Sequence, residues 1–125
     1  MLSTLLQVAA GGAAGSVLRW SLGSAIGRMA APGGFPLGVI AANVLGSFAM
    51  GAFVALSARH GLTHLSPLVM TGLLGGFTTF SAFSLETVAL VERGAAGQAA
   101  LYVLLSVGLS LGALTLGLAA VRAAA

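Results

Sequence analysis

The sequence predicts an all-α membrane protein with four transmembrane helices per subunit, and its size, composition and charge lead to this fold class. The chain has 125 residues, a hydrophobic fraction of 58%, and only five basic and two acidic side chains. A small soluble protein has much surface for its volume and needs a polar shell. So few charges cannot supply that shell, and so high a hydrophobic fraction excludes disorder. We therefore expect a single domain within a membrane.

The charge and cysteine content exclude several classes of function. The net charge of +3 rests on five arginines that are scattered along the chain. Nucleic-acid binding needs a basic patch or stripe, so we expect no nucleic-acid partner. Cysteine is absent, which rules out disulfides, thiol catalysis and cysteine-based metal sites. The N-terminus lacks the basic region of a secretory signal, and Gln7 interrupts its apolar run.

Four charge-poor stretches are long enough to cross a bilayer, which takes about 20 mostly apolar residues. The predicted spans cover residues 2–26, 36–57, 67–93 and 98–121. Pro36 suits the first turn of the second helix, and the glycines and proline just before it mark a loop. The connections are too short to form an extramembrane domain, so we expect the function to lie within the membrane.

The arginines that flank the spans are balanced between the two sides of the membrane. With an even number of spans, both termini lie on one side. Arg28 and Arg93 fall opposite the termini, Arg59 and Arg122 fall on their side, and Arg19 is intramembrane or interfacial. Because orientation follows the Lys/Arg imbalance, we predict insertion in both orientations as an antiparallel homodimer. The alternative is that Arg19 or other context favours one orientation.

Glycines recur four positions apart along the predicted spans. The pairs are Gly11 and Gly15, Gly23 and Gly27, Gly72 and Gly76, and Gly108 and Gly112. Such pairs let helix backbones approach closely in lipid, although some arise by chance in a chain with 19 glycines. Close packing of short helices also fits an oligomer, since four spans alone enclose little interior.

The middle of the third predicted span contains residues that weaken a helix. Two adjacent glycines, Gly75 and Gly76, precede the β-branched pair Thr78 and Thr79. A break at membrane depth frees backbone groups that lipid cannot satisfy, so it persists only where it lies in protein, lines water or binds an ion. The alternative is an unbroken helix whose hydroxyl groups bond back to carbonyls.

Aromatic and polar side chains follow this weak point. Phe80 and Phe83 are three residues apart and share a helix face. The edge of an aromatic ring is electropositive, so paired ring edges can favour a small anion without a formal charge. Packing is the alternative role for the two rings. The polar residues beside them are Thr79, Ser81, Ser84 and Glu86.

Two other predicted spans carry polar groups that could face the same place. Asn43 lies in the second span, where its amide is costly without a partner and offers two N–H donors. Tyr102, Ser106 and Ser110 follow a spacing of four in the fourth span and form one polar stripe. Such a stripe marks a buried interface or a pore, and polar groups on several spans favour the pore.

No constellation of residues points to an enzyme. His60 and His64 are four apart, which would suit a metal, but no carboxylate or cysteine is nearby, so we interpret them as interfacial. Glu86 and Glu92 do not form an obvious catalytic pair, and the sequence has neither a phosphate-binding loop nor a nucleophile elbow.

Three motifs together resemble those of the small bacterial fluoride channels of the Fluc (CrcB) family. The longest is the run GGFTTFSAFSLE at residues 75–86, and the others are GGAAGSVLR at residues 11–19 and NVLGS at residues 43–47. The resemblance covers the chain in length, span number and motif order. It implies a dual-topology homodimer with two antiparallel pores in the bacterial inner membrane. It also implies passive, fluoride-selective export of fluoride from the cytoplasm, which lowers fluoride toxicity.

The resemblance also assigns roles to individual residues. Phe80 and Phe83 match the phenylalanines whose ring edges line the fluoride path, and Asn43 matches the pore asparagine. The implied hydroxyl-bearing pore residues are Thr79, Ser81, Ser84, Tyr102, Ser106 and Ser110, with Arg19 and Glu86 at a vestibule or pore end. Gly75 and Thr78 match the break at which family members hold a structural sodium ion through backbone carbonyls of both subunits. Ala82 lacks a hydroxyl that family members often carry, so this polar stretch is less continuous here.

Two other functions compete with the channel. A small multidrug exporter also has four short spans, but it needs an intramembrane carboxylate, and the first span has none while Glu86 lies towards the end of the third. In a non-transporting assembly subunit, the polar groups would only hold helices together.

Overall fold

The computed structural model describes residues 1–30 and 32–124, and this part of the chain contains helices and no strands. The all-α prediction is thereby confirmed. The helices in chain order are α1 (Leu2–Met29), α2 (Leu37–His60), a 3₁₀ turn (Thr63–Leu65), a π-helix (Pro67–Leu74), α3 (Gly75–Phe77), α4 (Phe80–Glu92) and α5 (Ala96–Ala123). From the 3₁₀ turn to the end of α4 the chain forms one long, bent segment, which we call the third segment. Each of the four long segments overlaps one predicted span.

Three of these segments are long and apolar enough to cross a membrane, counted over the described residues. They are α2 and α5, each with a mean hydropathy of 2.0, and the third segment, with 1.5. The helix α1 has 28 residues, about 42 Å at 1.5 Å per residue, but it is not among the three. It carries Gln7, Arg19 and several hydroxyl-bearing residues, so its membrane crossing stays a prediction.

The third segment contacts α1 at unusually short range. A Cβ added to Gly11 would lie 2.3 Å from the Leu68 carbonyl oxygen, and one added to Gly15 would lie 2.1 Å from the Leu73 oxygen. In return, Gly72 and Gly76 of the third segment face backbone atoms of α1. Two of the glycine pairs that the sequence singled out therefore form one contact between backbones, as expected for helices in lipid.

The remaining long contact joins α2 and α5. A Cβ on Gly51 would lie 2.1 Å from the Leu114 carbonyl oxygen, and one on Gly117 would lie 2.2 Å from the Phe48 oxygen. The sequence pairs did not include these two glycines. The predicted pairs at residues 23 and 27 and at residues 108 and 112 behave differently, since a Cβ at any of the four would meet nothing within 4 Å.

The buried core is small and lies around the lower-numbered end of α5. Its members are Ile40, Phe83, Leu90, Ala99 and Tyr102. Many large apolar side chains on the long helices are instead exposed in the single chain. Exposed apolar surface on this scale marks contact with lipid or with a protein partner.

Candidate functional site

The third segment is broken at two threonines. The helix α3 ends at Phe77, Thr78 and Thr79 are both extended, with ψ of 158° and 122°, and α4 begins at Phe80. The predicted break is confirmed, but it lies just after the glycine pair. Gly76 stays helical because it packs on α1, where an added Cβ would lie 2.7 Å from the Gly12 carbonyl oxygen.

Asn43 of α2 binds both backbone groups of Thr79. The Asn43 Nδ2 donates to the Thr79 carbonyl oxygen at 3.0 Å, and the Thr79 N–H donates to Asn43 Oδ1 at 2.7 Å. One primary amide therefore satisfies a donor and an acceptor that the helix break left free. The family resemblance implies that Asn43 donates to an anion in the pore, and its second N–H forms no hydrogen bond within the described residues.

The other polar contacts at the break come from Arg19 and from the threonines themselves. The Arg19 Nε donates to the Gly76 carbonyl oxygen at 3.2 Å. The Thr78 hydroxyl donates back to the Leu74 oxygen, while the Thr79 hydroxyl accepts from the Ala82 N–H and caps α4. The break is thus held by one side chain from α1, one from α2 and two of its own.

A row of aromatic rings runs from the break into the core. The Phe80 and Phe83 ring centroids are 5.3 Å apart at an interplanar angle of 63°. The Phe83 and Tyr102 centroids are 5.5 Å apart, and Phe35 meets Tyr102 edge-on at 5.6 Å. Phe83 is 8% exposed, whereas Phe80 is 79% exposed. The two phenylalanines therefore pair edge to face, with one ring in the core and the other at the chain surface.

The polar stripe of α5 has one satisfied and two unsatisfied members. The Tyr102 hydroxyl, fully buried, donates to Glu86 Oε2 at 2.6 Å. The hydroxyl oxygens of Ser106 and Ser110 are buried and have no hydrogen-bond partner among the described residues. Buried hydroxyls without partners are rare and need an explanation.

A groove of about 350 Å³, which we call the central groove, collects most of the predicted pore residues. It is lined by Asn43, Gly46, Ser47, Met50, Thr78, Thr79, Phe80, Phe83, Ser106, Val107, Ser110, Leu111 and Leu114. Three predicted pore residues lie outside it. The Ser81 hydroxyl pairs with that of Thr79, the Ser84 hydroxyl bonds back to the Phe80 carbonyl, and Tyr102 lies behind Phe83.

A second cavity, of about 520 Å³, lies where the chain passes from α1 to α2, and we call it the vestibule. Its polar lining includes Arg19, Ser24, Thr79 and Glu86, and Trp20 adds an aromatic wall. Arg19 and Glu86, both predicted at a vestibule, thus share one cavity. Thr79 lines both the vestibule and the central groove, so the helix break borders the two spaces.

The histidines contribute no metal centre in the described part of the chain. No group of three or more His, Cys, Asp or Glu side chains that could hold a metal ion is found there. His60 ends α2 and His64 lies in the 3₁₀ turn. The carbonyls predicted as sodium ligands are those of Gly75, one turn before the break, and Thr78, within it, and they accept no hydrogen bond within the described residues.

Sequence comparison places the chain among channel proteins. Residues 6–118 match the family described as "CrcB-like protein, Camphor Resistance (CrcB)". A relative from Ruegeria sp. (strain TM1040), named "Fluoride-specific ion channel FluC", is 63% identical over 98% of this chain and 97% of its own length. Relatives of the same name are 62% identical in Roseobacter denitrificans, over 94% of both chains, and 55% identical in Cereibacter sphaeroides, over 98% of this chain and 97% of the relative.

These relatives are named as channels, which confirms the prediction that the chain is not an enzyme. The first of these relatives covers 98% of the chain, and the family match at residues 6–118 spans the three motifs that carried the resemblance. The chain belongs to the CrcB family of integral membrane ion channels.

Proposed function

We propose that this chain is a fluoride-selective channel of the bacterial inner membrane, which exports cytoplasmic fluoride passively and so lowers its toxicity. The observation that carries the proposal is the central groove, where Asn43 and the Phe80–Phe83 pair face the unpartnered hydroxyls of Ser106 and Ser110. The names of the bacterial relatives support the choice of fluoride.

The chemistry of the central groove suits a small, tightly hydrated anion. A pore for such an ion must replace its water with hydrogen-bond donors. Asn, Ser and Thr supply neutral donors, and the described residues that line the groove include no charged side chain. A fixed Lys or Arg there would hold the anion too tightly for release. The ring edges of Phe80 and Phe83 add an electropositive rim and keep the path narrow, which disfavours chloride.

The direction of transport follows from the acid chemistry of fluoride. From an acidic exterior it enters the cell as neutral HF, ionises in the cytoplasm and is trapped as the anion. A passive channel lets the anion leave down its electrochemical gradient. We propose that the ion passes between the central groove and the vestibule beside Thr79, which lines both.

Fluoride efflux from liposomes tests this function. Liposomes that contain the purified protein, with the voltage clamped by a potassium ionophore, should release fluoride and retain chloride. Efflux of both anions would show that the channel is not selective for fluoride. The absence of fluoride efflux would contradict the channel and favour an exporter or a non-transporting subunit. The assay thus separates the fluoride channel from the two competing functions.

The same assay tests the phenylalanines. Phe80→Ile and Phe83→Ile should each slow fluoride efflux at least tenfold, about 1.4 kcal/mol in barrier height, because isoleucine has no electropositive ring edge. Leu85→Ile is a matched control, since Leu85 is an exposed residue of the same helix that does not line the central groove. Wild-type efflux in both phenylalanine variants would exclude these rings from the pathway.

We also propose that two copies assemble as an antiparallel, dual-topology homodimer with two pores. The balance of two flanking arginines against two supports insertion in both orientations. The large exposure of Phe80, 79% in the single chain, supports a second copy that covers the open side of the central groove. A reporter tag on the C-terminus should be accessible from both sides of the membrane in one preparation. Accessibility from a single side would refute dual topology.

A structural sodium ion is part of this proposal. The Gly75 and Thr78 carbonyls fit it, because they lie one turn before the break and within it and accept no hydrogen bond within the described residues. Carbonyls of unwound membrane helices are oxygen ligands of the kind that bind Na⁺. When bound, the ion would neutralise these oxygens and hold the two subunits together. Replacing sodium with N-methylglucamine should lower the melting temperature of the dimer, and an unchanged melting temperature would argue against the ion.

A further inference from the structure

A third cavity lies at the end of the bundle where α2 and α5 terminate. It has a volume of about 380 Å³ and lies between the last turns of the two helices. Its walls are Val54, Ala55 and Ala58 from α2 and Val121 from α5, with Arg59 and Arg122 completing them. Two guanidinium groups from different helices thus share one cavity with small apolar side chains, and the proposed ion path does not include it.

Among the described residues, no acidic side chain lines this cavity beside the two arginines. The chain has two acidic residues, and Glu86 is bound to Tyr102 in the other half of the protein. Glu92 ends α4 and lies next to the start of α5. Arg122 lies at the far end of α5, whose 28 residues span about 42 Å. The cavity therefore carries a local charge of +2 from its side chains.

The position of the two arginines along their helices places them at the depth of lipid phosphates. Both lie in the last turn of a helix whose preceding residues have a mean hydropathy of 2.0. Arginine at the end of a spanning helix extends its guanidinium to the headgroup layer. Basic pockets between helices at this depth bind anionic headgroups.

We propose that this cavity binds an anionic phospholipid. Arg59 and Arg122 donate to the phosphate oxygens, since the guanidinium fork matches phosphate geometry. The apolar walls, Val54 and Val121 among them, contact the first methylene groups of the acyl chains. A cavity with both surfaces suits an amphipathic ligand and not a free inorganic anion, which would use only the arginines.

Lipid binding to the purified full-length protein in neutral detergent tests the proposal. A native mass spectrometry titration should show tighter binding of dioleoylphosphatidylglycerol than of dioleoylphosphatidylcholine. Arg59→Gln and Arg122→Gln should each weaken phosphatidylglycerol binding roughly fivefold, and the double variant about 25-fold. The double variant Arg28→Gln/Arg93→Gln is the matched control. It removes the same charge at the ends of α1 and α4. Neither Arg28 nor Arg93 lines this cavity, so phosphatidylglycerol binding should change less than twofold.

Each outcome decides for or against the site. A phosphatidylglycerol preference that survives Arg59→Gln/Arg122→Gln, or that falls equally in the control pair, would overturn it. Displacement of the lipid by millimolar inorganic phosphate would show a site for the free anion and would also overturn it. If the double variant fails to fold, phosphatidylglycerol binding is compared between the single variants Arg59→Gln and Arg122→Gln and the single controls Arg28→Gln and Arg93→Gln.

Discussion

Replacement of Asn43 by alanine is expected to stop fluoride efflux and to lower the free energy of unfolding by about 2–6 kcal/mol. The side chain forms two hydrogen bonds to Thr79, at 3.0 and 2.7 Å. Alanine leaves the Thr79 N–H and carbonyl without these partners in a partly buried place, and each lost partner costs about 1–3 kcal/mol. The break would then lose its hydrogen bonds to α2 and keep only the packing of Thr78 and Phe77 on Gly46.

A second variant separates the two hydrogen bonds. Asn43→Asp keeps an oxygen that accepts from the Thr79 N–H, but a carboxylate cannot donate to the Thr79 carbonyl. We expect stability between that of wild type and Asn43→Ala, and no efflux, because the new charge repels an anion. Ser57→Ala is the control, since Ser57 is a buried polar residue of the same helix that does not line the central groove. Chemical unfolding measures the effect on stability, and liposome efflux measures the effect on transport. Wild-type stability of Asn43→Ala would show that the two hydrogen bonds to Thr79 do not stabilise the fold.

Gly15→Ala is expected to lower the free energy of unfolding by about 1–3 kcal/mol or more, as overpacking usually does. The added Cβ would lie 2.1 Å from the Leu73 carbonyl oxygen and 2.9 Å from the Phe77 backbone nitrogen. Both are backbone atoms, so the clash cannot be relieved by a side-chain rotation. The helix α1 would have to move away from the third segment, and this movement would also pull Arg19 from the Gly76 carbonyl.

The neighbouring glycine provides the control for this prediction. A Cβ on Gly12, three residues earlier in the same helix, would meet nothing within 4 Å. Gly12→Ala should therefore fold with wild-type stability or slightly above it, because alanine favours the helix by up to about 1 kcal/mol. Thermal unfolding in detergent compares the two. Equal melting temperatures would mean that α1 does not pack on the third segment as closely as described.

The helices and the break were predictable from the sequence because each rests on local properties. Long apolar runs between arginines define the segments, and β-branched Thr78 and Thr79 favour an extended backbone. The exact place of the break was not predictable from propensity alone. Glycine is a poor helix former, yet Gly76 is helical. Its place against the backbone of α1 admits only a residue without a Cβ, so the glycine serves helix packing and not the break.

The candidate site was predictable in membership but not in its internal contacts. Residue type and spacing selected Asn43, Phe80, Phe83 and Ser106, and the fold brings all four to one groove. The hydrogen bonds of Asn43 to Thr79 and of Arg19 to Gly76 join positions 36 and 57 residues apart in the chain. No local pattern encodes such pairs. The sequence indicates only that such hydrogen bonds form and not with which partner, since a polar side chain within a membrane span needs a partner.

The break at Thr78 and Thr79 also places a partial negative charge and a partial positive charge close together. Each peptide unit carries a dipole, so a helix has about half a positive charge at its first turn and half a negative charge at its last. At the break, the last turn before Thr78 and the first turn of α4 meet, and the extended residues between them keep the two poles apart. Carbonyls gather on one side, where a cation is favoured, and amide hydrogens gather on the other, where an anion is favoured. A single interruption of one segment therefore presents both ends of a helix dipole at one place, next to the Arg19 guanidinium that binds the Gly76 carbonyl.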